Sequence, residues 1–174
     1  MAAEHLAAQL GQWINTRDWA ASAEYLTAHA EDLLTDNAEE LLVGNVAEQP
    51  KLLGYLGLLG VARQLGVEEA HALITDRAAR GGARAARPPD ERLAMARLSA
   101  GLDDGSADAQ FAHALAALEA GAGPEAVWAM TRCRDVCASW ERPSLARRLD
   151  EFADTNPELD LAPLHRALTE EAAS

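Results

Sequence analysis

Three glycines at every third position, Gly54, Gly57 and Gly60, sit inside the longest apolar run of the chain, Leu52 to Val61. Pro50 suits the first turn of a helix over this run, and Gly66 suits its C-terminal cap. On that helix the glycines form a stripe beside the leucines. Each costs roughly 1 kcal/mol relative to alanine in a helix interior, so the stripe needs a compensating arrangement. Two are available: another helix of the same chain crossing where no Cβ fits, or a groove that receives a partner helix. Internal crossing is the stronger reading of the stripe. The groove is what makes Gly54, Gly57 and Gly60 candidate partner-binding residues.

The rest of the chain is written in the same helical idiom. Alanine supplies 39 of the 174 residues and aromatics only 5%, which favours helix because alanine loses no side-chain entropy there. No stretch carries the period-two pattern of a strand. Helix faces follow one another: Leu6, Leu10 and Trp13; then Leu41, Leu42 and Val46 after a Thr35 or Asp36 start; then Ala70, Leu73 and Ile74. Gly81-Gly82 and Pro88-Pro89 bracket an arginine-rich break, read as a hinge over 81–89 between halves 1–80 and 90–174. Beyond it lie Leu93, Leu98 and Leu102; then, after a Ser106 cap, Phe111, Leu115 and Leu118. Pro124 opens a helix with Ala126, Met130, Cys133, Cys137 and Trp140 inward. Pro143 opens the next, with Leu145, Leu149 and Phe152, and Leu161, Leu164 and Leu168 face inward on the last. The expectation is an all-α fold, an irregular helical bundle or a right-handed TPR-like array of about ten short helices.

Near the N-terminus Trp19, Ala23, Leu26, Ala30 and Leu33 fall on one helical face, with Thr16 placed to cap its start. The pattern W-x-x-x-x-x-Y-L-x-x-H-x-x-x-L-L, carried by Trp19, Tyr25, Leu26, His29, Leu33 and Leu34, resembles a helical unit of large actinobacterial and cyanobacterial proteins. Those proteins join tetratricopeptide-like arrays to caspase-like CHAT protease domains or other signalling domains. The similarity extends over residues 13 to 76. It implies a scaffold or adaptor segment rather than a protease, since that family's catalytic His and Cys motif is absent.

Charge narrows the function classes. There are 12 acids against 3 bases over residues 1–76, 6 arginines against 2 acids over 77–97, and 14 acids against 6 bases thereafter, for a net charge of −13. Such acidity disfavours phosphate backbones, so no nucleic acid is expected, and it favours a basic partner surface. The hinge arginines are read as screening the chain's own acids. The apolar run is too short to span a bilayer and no basic leader is visible, so no membrane contact is expected and a cytoplasmic bacterial protein is the reading.

Chemical constellations are sparse. Cys133 and Cys137 share a helix face without a second Cys/His pair, and read as buried thiols rather than metal ligands. Asp103 to Asp108 lacks the far glutamate of a calcium loop. No metal, cofactor or catalytic residue is implied. The expected function is a protein–protein interaction adaptor, binding a partner segment or a second copy in a groove carrying Trp19, Leu26, Tyr55, Gly54, Gly57 and Gly60. Trp13, Trp19, Trp128 and Trp140 are expected as core anchors, and any left exposed should mark the interface. The alternative is a ligand-binding protein or biosynthetic enzyme with a cavity between the halves, drawing on His113, Arg132, Asp135 and Glu141. A nucleic-acid regulator comes third.

Overall fold

The computed structural model describes residues 2–84 and 87–170, with backbone alone for 81–84. Helix accounts for 79% of the described residues, which contain no strand, so the fold is all-α. In order the helices are α1 (Ala2–Ile14), α2 (Trp19–Ala28), α3 (Ala30–Leu33), α4 (Asp36–Val46), α5 (Leu52–Leu65), α6 (Val67–Ala72), α7 (Arg77–Arg84) and α8 (Pro89–Leu102). Then come α9 (Ala107–Glu119), α10 (Gly123–Val136), a 3-10 turn (Ser139–Glu141), α11 (Arg142–Thr155) and α12 (Ala162–Thr169). Two compact units divide them, Met1–Leu102 and Asp103–Ser174.

That boundary corrects the expected split at 81–89. Residues 90–102 belong to the first unit because α8 packs along α5, with Ala94, Leu98 and Gly101 facing its glycines. Nor does Gly81-Gly82 end a helix. The Asp76 carboxylate accepts from the Ala79 N–H at 2.9 Å and starts α7. Arg80 is buried and donates to the carbonyls of Leu73 and Ile74 at 2.9 and 2.8 Å and to the Ser99 hydroxyl at 3.2 Å. Ala85 and Ala86, in the expected hinge, lie outside the described residues.

From Leu52 to Ala62 helix α5 is buried on nearly every side, as an apolar run of that length must be. Its glycine stripe faces α8. A Cβ on Gly57 would stand 2.1 Å from the Leu98 nitrogen, and one on Gly60 would stand 2.7 Å from the Ala94 Cβ. One on Gly101 would come within 2.2 Å of the Gly54 nitrogen, whereas a Cβ on Gly54 itself makes ordinary contact at 3.6 Å. The pairs 54–101, 57–98 and 60–94 run in opposite directions, so the helices are antiparallel, with backbones touching at two points. Gly66, at φ 94°, ends α5 by donating its N–H to the Ala62 carbonyl.

The expected caps hold at Thr35 and Ser106, whose hydroxyls accept from the N–H of Ala38 and Ala109. Thr16 is not one. Asp18, directly before α2, accepts from the Ala21 N–H at 2.8 Å, while the Thr16 hydroxyl donates to the Trp13 carbonyl and closes α1. In the second unit α9 and α10 pack across a three-residue turn, with Ala114, Ala117, Ala126 and Ala129 buried. Helix α12 packs on α10, and α11 on α12.

The crossing predicts opposite signs for one substitution. Gly57→Ala should destabilise by about 1–3 kcal/mol or more, because its Cβ meets backbone that cannot step aside. Gly11→Ala, within α1 and facing open space, should stabilise by up to about 1 kcal/mol. Denaturant midpoints measure both, and a Gly57→Ala protein as stable as wild type would contradict the crossing.

Candidate functional site

The expected partner-binding residues do not form one surface. Leu26 is completely buried, and Gly54, Gly57 and Gly60 are covered by α8. The groove foreseen along α5 is therefore filled by the chain itself. Tyr55 is half-buried and donates its hydroxyl to the Ile14 carbonyl at 3.0 Å; burial pushes its pKa up. Trp19 is the member at the surface, 37% exposed, its ring 5.7 Å from Tyr55 and 6.5 Å from His71.

Behind this aromatic cluster runs a polar chain that the sequence reading missed. Trp13, fully buried, donates its indole N–H to Ser22 Oγ at 2.9 Å, and Ser22 Oγ lies 3.1 Å from His71 Nε2. His71 Nδ1 lies 2.7 Å from the Val67 carbonyl, so Nδ1 carries the proton and Nε2 accepts from the serine hydroxyl. A serine beside an imidazole is the start of a hydrolytic pair. Here the serine is 1% exposed and the histidine is oriented by a carbonyl, not a carboxylate. The chain ties α1, α2 and α6 together. Only Trp13 and Trp19 were legible beforehand, since nothing in the spacing of Ser22 and His71 joins residues 49 apart.

Of the residues of the alternative reading, His113 and Arg132 meet at Trp128, whereas Asp135 and Glu141 are engaged elsewhere. His113 is fully buried on α9, 2.7 Å from the Glu125 carboxylate of α10 and edge-on to Trp128 at 6.2 Å. Arg132 lays its guanidinium 4.8 Å from the centre of the other part of this cluster, the Trp128 ring, and burial pulls its pKa down. Asp135 pairs with Arg134 at 3.1 Å, and Glu141 accepts the Ala138 N–H at 2.6 Å. Histidine and carboxylate thus fasten the α9–α10 pair. Both cysteines are free and buried, and burial pushes the Cys133 thiol up to about 12, which keeps it protonated.

What the second unit does display is Trp140. Expected on the inner face of the Pro124 helix, it is 79% exposed, with Val136 at 41%. The error has a local cause: α10 stops at Val136, and Cys137 turns extended at ψ 147°, so the helical phase is lost three residues before the tryptophan. Pro143 carried the signal, since a helix starting there leaves room only for a turn. That turn is held by the Glu141 carboxylate on the Ala138 N–H. Beside it opens a shallow groove lined by Ser106, Asp108, Trp140, Glu141, Ser144 and Arg148. Arg148 pairs with Asp108 at 2.7 Å and stacks on Phe111 at 4.5 Å.

Among the described residues no three His, Cys, Asp or Glu side chains are grouped to hold a metal ion, and no helix is long and apolar enough to cross a membrane. The hinge arginines engage the protein's own groups: Arg80 holds carbonyls, Arg87 pairs with Glu91 at 3.1 Å, and Arg97 pairs with Glu39 at 3.2 Å. Comparison with family models, curated proteins and solved structures finds no match.

The polar chain predicts a pH dependence. Burial holds the folded pKa of His71 below its usual value, so the fold resists protonating the ring. Its contribution is complete above pH ~6.5 and is lost as pH falls below that value toward the folded pKa. Ring-proton NMR should titrate His71 below ~6.5, and His71→Asn should show a smaller stability loss between neutral and mildly acidic pH than wild type. A His71 pKa at or above ~6.5 would contradict the arrangement.

Proposed function

We propose that the protein is an interaction module, an adaptor or scaffold that docks a partner protein or a second copy through the surface around Trp140. The observation that carries this reading is the 79% exposure of that tryptophan on a turn fixed by Glu141. An indole displayed to solvent is costly to keep wet, and tryptophan concentrates binding energy when buried at an interface. A fixed turn leaves little side-chain or loop entropy to lose on docking. The tetratricopeptide-like reading of residues 13–76 belongs to the same proposal, as does a cytoplasmic setting.

The alternative, an enzyme or small-ligand protein, would draw on His113 as its base. That side chain is fully buried and holds Glu125, so its geometry supports a structural role better.

Trp140→Ala should leave the unfolding midpoint within about 0.5 kcal/mol of wild type, as for other exposed sites. It should abolish the complex that purified wild type forms with partners recovered from the host, or its self-association measured by light scattering. A Trp140→Ala protein that associates as wild type does would overturn the proposal.

A further inference from the structure

Twelve acids meet three bases over residues 1–76, and two of those bases are already engaged: Arg17 with Asp18, Arg63 with Asp36 and Glu39. Part of the remaining acidity converges on a groove between α1 and the α3–α4 segment. Its lining includes Glu31, Asp32 and Glu40 together with His5, Leu6 and Leu41. No cation among the described residues pairs with those three carboxylates. In the same lining sits Gln9, only 7% exposed. Its Nε2 donates to Asp32 Oδ2 at 3.0 Å and lies 3.4 Å from His29 Nδ1. Its Oε1 is buried with no hydrogen-bond partner among the described residues. A buried acceptor left in that state is unfavourable until a donor reaches it.

We propose that this groove binds an arginine side chain from a basic segment of a partner protein. Three requirements select that occupant. It must donate N–H to a neutral carbonyl, carry positive charge to three carboxylates, and present methylenes to Leu6 and Leu41. A guanidinium fork serves a carbonyl and a carboxylate at once, and its stem packs on apolar surface. The chain's own Arg80 and Arg97 are buried in other contacts. This surface lies in the first unit and does not depend on the Trp140 reading.

An acetylated and amidated Ala-Arg-Leu-Arg-Ala peptide, titrated into the full chain at low ionic strength and followed by NMR, tests it. Saturable shifts should appear at Leu6, the Gln9 side-chain amide, Asp32 and Leu41, and should weaken with added salt. Glu31→Gln and Glu40→Gln, both exposed and harmless to the fold, should each weaken binding by about fivefold. Gln9→Met should weaken it further; if that variant fails to fold, the two glutamate variants still decide. Equal binding of the citrulline peptide, equal or tighter binding of spermidine, unchanged binding in both glutamate variants, or shifts located elsewhere would overturn the proposal. Trp140→Ala should bind the peptide as wild type does, so failure here and failure at Trp140 are separable.

Discussion

The first unit depends on one close contact, the antiparallel passage of α5 over α8 where Gly57 meets Leu98 and Gly101 meets Gly54. Backbone-to-backbone approach brings both helices into van der Waals range along their length, and the many small contacts sum to a large attraction. It also sets the polar chemistry around it. With Leu98 pinned against Gly57, its neighbour Arg97 is held where it can grip Glu39, a carboxylate that Arg63 of α5 holds as well. Ser99, on the same helix, meets the buried Arg80 of α7. An arginine-rich segment that reads as a hinge is drawn into the unit by these contacts.

How much of this was legible depends on the range of each signal. Helix faces and caps are local, so all-α architecture, the Thr35 and Ser106 caps and the burial of the α5 leucines follow from spacing alone. The glycine stripe showed that something must approach α5 closely. It did not show what, because the complementary residues, Ala94, Leu98 and Gly101, lie beyond a Gly-Gly and Pro-Pro segment that looks like a boundary. Trp140 was misplaced for the opposite reason: a helical period was carried through Cys137, where the backbone had already left the helix. Ser22, His71, Gln9 and Asp32 were invisible as pairs because each joins residues that only the fold brings together.

The polar interior separates fastening from function. The Trp13–Ser22–His71–Val67 chain satisfies each donor and acceptor in turn, and the His113–Glu125 bond closes two helices on each other. Such satisfied groups hold a fold and offer nothing to a visitor. Two features differ from that pattern: an indole left in solvent at Trp140, and a buried Gln9 carbonyl oxygen without a partner among the described residues, in a groove that Glu31 and Glu40 also line. In the proposed readings both meet another molecule, the first through an apolar surface and the second through an acidic one.

Native-state hydrogen exchange tests the central claim, that the α5–α8 crossing organises the first unit through Leu102. Cooperative units exchange at a common free energy, with the most protected set by global opening. The buried amides of α5 from Leu56 to Ala62 and of α8 from Leu93 to Leu98 should share one opening free energy, the highest in Met1–Leu102. Exchange of α8 through a separate opening of lower energy, with α5 still protected, would contradict the account.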